Sequence, residues 1–411
     1  MIAEHSEGLP ERLARGPLAG YVGFDPSGPS LHVGHLVQVF LLTHLQRCGG
    51  RPVAVVGGGT GMIGDPSGQS AERNLLDEAA LAANAATLRS QLEHFLDFSP
   101  GPQGALMVDN REWLADYSLL GFLRDIGKHF TLGYMLAKDS VQARLAAGMS
   151  FTEFSYMTLQ ATDFLHLHRD RGVDLQMGGA DQWGNITAGL ELIRRVEGRD
   201  EGAEPSAFAL CSPLLTTASG QKMGKTASGA VFLDARLTSP YAFFQYCLNL
   251  EDALVPRLLR WLTLLSEAEI KALEAEQAAN PERRPGQRAF AYDLTARVHG
   301  SPEADRQVRV AEAAFGGGPI ADAEVLVELH AHADGFDFTA EQARDGLVPL
   351  LVGAGLFTSN SEARRAIAQG GLRLNGERPP SADAPLPELI AGEWLVVRLG
   401  KRAVRVGRLR R

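Results

Sequence analysis

Apolar residues run almost unbroken through 18–24 and 51–56, and each run is closed by a cluster of glycine, proline or aspartate. Runs this short, ended by turn residues, predict two buried strands. Between them Asp25-Pro-Ser-Gly-Pro29 predicts a turn, and apolar positions at helical spacing over 36–45 predict the helix that follows. Further strands are predicted at 105–109 and 173–178, with a helix running from the Gly179-Ala-Asp181-Gln182 stretch to Arg195. This strand-helix alternation is that of an open α/β sheet. Residues 112–167 carry a mostly helical pattern that interrupts it, and 70–98 form a long amphipathic segment. From 241 to about 314 the pattern is helical without strands, and Phe315-Gly-Gly-Gly-Pro319 marks a break. Past Gly346 come two short helical patterns, 347–354 and 361–369, and two strand-like runs, 393–399 and 403–409.

At 411 residues the chain exceeds what one core holds, so two or three domains are expected. No window has the unbroken apolar length of a membrane span, and the first 16 residues lack the apolar centre of a signal peptide. Three widely spaced cysteines, Cys48, Cys211 and Cys247, form neither a disulfide framework nor a zinc pattern, and the cytoplasm is expected. The net charge of −9 is unevenly spread. Residues 346–411 hold 11 basic and 5 acidic side chains, whereas the rest hold 29 and 44. A basic tail on an acidic body predicts a polyanionic partner for the tail, the alternative being a basic dimerisation or capping module.

His32 and His35 fall at the start of the 36–45 helix, three residues apart on one face, beside unpaired backbone N–H groups and the positive helix end. That is a setting for a polyphosphate. Gly34 between them lets a flat ligand such as a purine approach the backbone. Alone, the pair could be two surface histidines. Far downstream, Lys222-Met-Gly-Lys-Thr226 stands among small polar residues and reads as a loop whose lysines can swing onto phosphates; alone, it could be a solvated charge pair. Gly59-x-Gly61-x-x-Gly64 matches the dinucleotide fingerprint in form only. Asp65-Pro-Ser-Gly68 breaks the chain where that fingerprint needs a continuing helix. Tyr156, Gln160 and Asp163, spaced by four and three, share a helix face hemmed by Phe154, Leu159 and Phe164, which favours a pocket wall over a solvent face. Asn110 stands at a strand end, where ligands collect in such sheets.

Together the histidine and lysine motifs resemble the paired signatures of class I aminoacyl-tRNA synthetases, and the full stretches are similar to those of bacterial tyrosyl-tRNA synthetases along nearly the whole chain. The resemblance implies an α/β architecture: a Rossmann-like parallel-sheet catalytic domain at 1–215 with a helical insertion at about 111–172; the lysine loop and an all-α anticodon-side domain at 216–320; a linker at 321–345; and a small α+β RNA-binding domain at 346–411. It implies activation of L-tyrosine by ATP to tyrosyl-adenylate and pyrophosphate, then transfer to the 3′-terminal adenosine of tRNA(Tyr).

Tyrosine would be held by Tyr21, Thr60, Asp65, Asn110, Tyr156, Gln160, Asp163 and Gln176, with Asp65 on its ammonium group. Asp163 would accept the phenolic O–H while Tyr21 donates to its oxygen, so phenylalanine would leave both unpaired. ATP would be held by Gly23, Asp25, Ser27, His32, Gly34, His35, Gly179, Asp181, Gln182, Lys222, Met223 and Lys225. The catalytic set would be His32, His35, Lys222, Lys225, Thr226 and Arg73. Gln69 stands where family members commonly carry a lysine, which shifts pyrophosphate contact toward Arg73. Arg364, Arg365, Arg373, Lys401 and Arg402 would meet tRNA. Mg²⁺ would arrive on the nucleotide, with no tightly bound cofactor and no protein metal site. The insertion would form a homodimer contact, a cap over the pocket fitting equally well. Two rivals stand beside this: a tryptophanyl-tRNA synthetase, which shares the fold and both signatures, and a non-catalytic RNA-binding protein on the same scaffold.

Overall fold

The computed structural model describes residues 2–410 except 68–76, 139–140, 143–144, 146–147, 201, 217–222, 227–228, 317 and 401–402. Two compact units emerge: Met1–Asp234 with Glu251–Gly286, and Ala235–Leu250 with Gln287–Arg411. The helical stretch expected as a domain of its own is divided between them.

The first unit is built on a sheet of β1 (Glu4–His5), β2 (Ala19–Phe24), β3 (Arg51–Val56), β4 (Leu106–Asp109), β5 (Val173–Gly179) and β6 (Phe208–Ser212), in the order β1-β6-β5-β2-β3-β4. All neighbours are parallel except β1 and β6. A separate two-stranded sheet of β7 (Lys225–Thr226) and β8 (Gly229–Ala230) follows in the chain. Chain order reverses beside β2, which pairs with β3 on one side and β5 on the other. The crevice at the carboxyl ends of these strands is where such sheets bind ligands. The helix Leu36–Arg47 buries Leu36, Val39, Phe40 and Leu42 almost completely, because it lies between the sheet and the helix Val255–Leu262.

The pocket helix Phe151–Arg171 has clear sequence stops. Ser150 and Glu153 form a reciprocal capping box, and Gly172 ends the helix at φ +63°, where a Cβ would be strained. Ala161, Phe164 and Leu167 are sunk in the core of the unit. Burying a side chain such as Phe164 is worth about 2–3 kcal/mol, so this helix is anchored before its polar face meets any ligand.

In the second unit, β9 (Phe336–Thr339), β10 (Leu372–Leu374), β11 (Trp394–Leu399) and β12 (Ala403–Arg410) form a sheet in the order β10-β11-β12-β9. The stretch 321–345, expected as a linker, instead holds the helix Ala323–His332 and β9, which pairs in parallel with β12. Side chains alternate across β11. Leu395 and Val397 pack under the helices Leu347–Gly353 and Asn360–Ala368, while Trp394 and Val396 face the helices Ser301–Phe315 and Ala323–His332. Both faces are covered, which explains a nearly uninterrupted apolar run. Arg398 continues the Trp394 face. It is buried and donates to the carbonyls of Ala313, Ala314 and Gly318, at 2.6–2.9 Å, where the helix Ser301–Phe315 ends. One of the eleven basic residues of the tail is therefore internal.

Candidate active site

A cavity of about 740 Å³ opens at the carboxyl ends of β2 and β5, a size suited to a small-molecule ligand. Its inner end is ruled by Asp163. Trp113 Nε1–H donates to Oδ1 at 2.8 Å and Asn110 Nδ2–H to Oδ2 at 2.9 Å. Burial nonetheless pushes the carboxyl up to about 7, against the pull of those two bonds. The network continues: Asn110 also donates to Thr60, Thr60 donates to Asp25, and Tyr156 donates to the other Asp25 oxygen, at 2.7–2.9 Å. Tyr21 and Tyr156 are buried, and burial with the nearby carboxylates raises both phenols, keeping them protonated donors. Among the described residues Tyr21 Oη and Gln176 Oε1 are buried without a hydrogen-bond partner. Such atoms are costly unless something polar meets them.

A second cluster surrounds Asp65. Its Oδ1 accepts from Ser67 N–H at 2.9 Å and its Oδ2 from Gln182 Nε2 at 2.6 Å. Asn185 Nδ2 lies 3.2 Å from Ser67 Oγ, Gln160 Oε1 and Gln182 Oε1, sharing its two N–H donors among them and gathering the three around the acid.

The outer end is made differently. His32 caps the 3₁₀ turn Val33–His35 that leads into the long helix. His32 N–H donates to His35 Nδ1 and Gly34 N–H to His32 Nδ1, both at 3.1 Å, and the two rings stack with centroids 3.8 Å apart. This corrects one expectation: two of the backbone N–H groups at this helix start are taken by the imidazoles themselves. Each Nδ1 being an acceptor, Nε2 is the ring nitrogen that carries the proton of the neutral form.

The lysine motif reaches this end through its backbone. Val33 N–H donates to Val231 O, Val231 N–H to Gly224 O, and Leu233 N–H to Leu31 O. A Cβ placed on Gly34 would stand 2.8 Å from His32 Cε1 and 3.2 Å from Met223 O. Gly224, at φ +91°, lies so close that a Cβ there would be 2.8 Å from Gly34 N. Lys225 and Thr226 form a two-residue strand paired with Gly229–Ala230. Their side chains, like the whole of Arg73, Lys222, Lys401 and Arg402, lie outside the described residues.

The remaining residues expected for the amino acid and the nucleotide all line this one cavity, from Gly23, Asp25 and Ser27 to Gly179, Asp181 and Met223. Trp113 and Asn185 were missed. Trp113 is a lone aromatic in the four-residue helix Arg111–Leu114, and only the fold brings it to Asp163. Asn185 reads as a capping residue, and no local signal marks it as a hub. Among the described residues no group of three or more His, Cys, Asp or Glu side chains is placed to hold a metal ion. No described helix is long and apolar enough to cross a membrane. In the tail Arg364, Arg365 and Arg373 are exposed, although Arg364 pairs with Asp383 at 3.0 Å.

Comparison with known proteins agrees with this geometry. Residues 13–316 match the family model of class I tRNA synthetases (W and Y), and residues 328–405 match the SYY-like C-terminal domain of tyrosine–tRNA ligases. The chain is 50% identical over 407 residues to a tyrosine–tRNA ligase of Anaeromyxobacter dehalogenans, covering 98% of this chain and 95% of that one. It is 46% identical over 419 residues to the tyrosine–tRNA ligase of Roseiflexus castenholzii, covering 100% and 97%. A C-terminally truncated mitochondrial tyrosyl-tRNA synthetase of Coccidioides posadasii superposes with a TM-score of 0.66 at 31% identity, over 75% of this chain and 88% of that one. The chain belongs to the class I tRNA synthetases of the tryptophan and tyrosine group and, within them, to the tyrosine–tRNA ligases.

Proposed function

We propose that this chain activates L-tyrosine with ATP, forming tyrosyl-adenylate and pyrophosphate, and then transfers tyrosine to the 3′-terminal adenosine of tRNA(Tyr). The observation that carries this is the meeting of two distant motifs: Met223 and Gly224 lie against Gly34, in the cavity whose inner end holds Asp163 and the unpartnered Tyr21 Oη. Phosphate-binding chemistry and a reader of a phenol thus share one space.

The tyrosine hydroxyl donates to Asp163 and accepts from Tyr21, which gives that buried hydroxyl its partner. Its ammonium group sits at Asp65, held in place by Ser67 and Gln182. Thr60, Asn110, Tyr156 and Gln160 brace the amino acid, and Gln176 contacts it. The substrate carboxylate attacks the α-phosphorus; one P–O bond forms as the bond to pyrophosphate breaks. No protein nucleophile is needed, so catalysis rests on positioning and charge. His32 and His35 face the triphosphate and ribose, with Ser27 near the outer phosphate and Asp181 at the ribose. Lys222, Lys225 and Thr226, with Arg73, neutralise the departing pyrophosphate. Mg²⁺ enters on the nucleotide as part of the substrate.

The exposed Leu119, Leu120, Leu123, Leu132 and Phe151 of the insertion support a homodimer contact, since that many large apolar side chains left to water in one stretch of chain need a covering partner. Arg364, Arg365 and Arg373, with Lys401 and Arg402, meet tRNA phosphates. The enzyme works in the cytoplasm.

Pyrophosphate exchange into ATP tests the activity. It is expected with tyrosine and absent with tryptophan; the reverse preference, or tRNA binding without any exchange, would overturn the assignment. Lys225→Ala is expected to slow adenylate formation by about 100-fold or more while ATP affinity changes little, because the loop acts chiefly in the transition state. Equal losses in rate and affinity would count against that role.

A further inference from the structure

His166 has no place in the chemistry above, yet it lies one ring away from the acid that reads the hydroxyl. On the helix Phe151–Arg171 it follows Asp163 by three residues, so the two are neighbours on the helix surface. Its imidazole lies flat on the Trp113 indole, with centroids 4.4 Å apart and planes 16° from parallel. The indole donates Nε1–H to Asp163 Oδ1 at 2.8 Å. On its other edge the imidazole is tied down by Asp170, whose Oδ2 is 2.8 Å from Nδ1. Burial pushes the imidazole below its ordinary value, with Asp170 pulling the other way, so near neutral pH the ring is uncharged and the contact is aromatic stacking.

Trp113 stands on the helix Arg111–Leu114, a single turn. One turn of helix is too short to hold itself rigid. The plane of its indole, and hence the aim of its N–H, is set by what the ring rests against. A hydrogen bond weakens steeply as the donor swings out of line. A tilt of the indole would cost Asp163 one of its two fixed donors and shift the carboxylate against the phenol.

We propose that His166 is a positioning residue for recognition of the tyrosine hydroxyl, holding the Trp113 indole in the plane that aims Nε1–H at Asp163. This rests on the tyrosine assignment and extends it by one layer: Asp170 orients His166, His166 orients Trp113, and Trp113 orients Asp163.

The test compares His166→Ala with His166→Phe in exchange assays using tyrosine and, separately, phenylalanine. His166→Ala is expected to raise KM for tyrosine about three- to tenfold, the loss of one stacked ring pair. Its kcat, its KM for ATP and its kcat/KM for phenylalanine stay unchanged, because phenylalanine has no hydroxyl to be read. His166→Phe, which keeps a flat ring on the indole, restores KM for tyrosine toward that of the wild type. Unchanged KM in His166→Ala, equal impairment in His166→Phe, or a matching loss with phenylalanine overturns the role. The wild type run alongside separates the two levels. If it exchanges with tyrosine and the variants behave alike, only His166 is wrongly assigned; if it does not, the activity falls and this role with it.

Discussion

At the Asp163 end of the cavity six side chains, Trp113, Asp163, Asn110, Thr60, Asp25 and Tyr156, are joined in a row by hydrogen bonds of 2.7–2.9 Å. At the His32 end the described contacts are of another kind: backbone strands side by side, two stacked imidazoles and two glycines pressed together. The inner end is fixed by side-chain chemistry before any substrate arrives, as a site must be if it is to reject an analogue lacking one hydroxyl. The outer end is fixed by main-chain proximity, which suits a ligand that is mostly phosphate and is gripped hardest as it departs. On the proposed reading, selectivity and turnover are thus lodged in different kinds of matter.

That contrast can be broken from either side. The largest effect is expected at the glycine contact. Gly34→Ala must push against His32 and Met223 O, and is predicted to slow adenylate formation about 100-fold with tyrosine binding unchanged. Rapid-quench kinetics beside equilibrium tyrosine titration would show it, and an equal loss of tyrosine affinity would mean the two ends are not separate. Next comes Trp113→Phe, which removes one donor from a buried carboxylate. KM for tyrosine should rise about 30-fold while KM for ATP holds; a change in both would tie Trp113 to the whole cavity. The smallest is a pH effect. Burial raises the Asp163 carboxyl to about 7, and on the proposed reading its charged form is the one that accepts the phenol. Below that value the carboxyl takes up a proton and becomes a weaker, uncharged acceptor, so tyrosine should bind up to about tenfold more weakly at pH 6 than at pH 8. A flat profile over that range would show that hydrogen bonding, not ionisation, governs recognition.

Much of the scaffold is legible because its elements are local. The strands predicted at 51–56 and 403–409 match Arg51–Val56 and Ala403–Arg410 to within a residue, the first because its apolar run ends at glycines, the second because apolar residues and arginines alternate along it. The histidine motif and the polar face of Tyr156, Gln160 and Asp163 are equally plain. What stays hidden depends on partners far along the chain. Asp163 meets Trp113 across fifty positions, and Asp65 meets Gln182 across more than a hundred. Arg398 looks like one more cation for RNA, and only the helix end opposite it shows otherwise. The 321–345 stretch lacks strand periodicity of useful length, because β9 is four residues long and leans on β12 for its bonds.

The two-sided covering of β11 limits how this protein can be cut. Removing everything after residue 345 would strip Trp394, Val396 and Val406 from the helices Ser301–Phe315 and Ala323–His332, leaving a bare oily surface. Loss of aminoacylation in such a truncation would then report clumping as readily as lost tRNA contact. Charge reversal at Arg365 and Arg373, both on the exterior, leaves the interior intact, and a swap between relatives should be spliced ahead of Ser301 so that the sheet travels with the helices it covers.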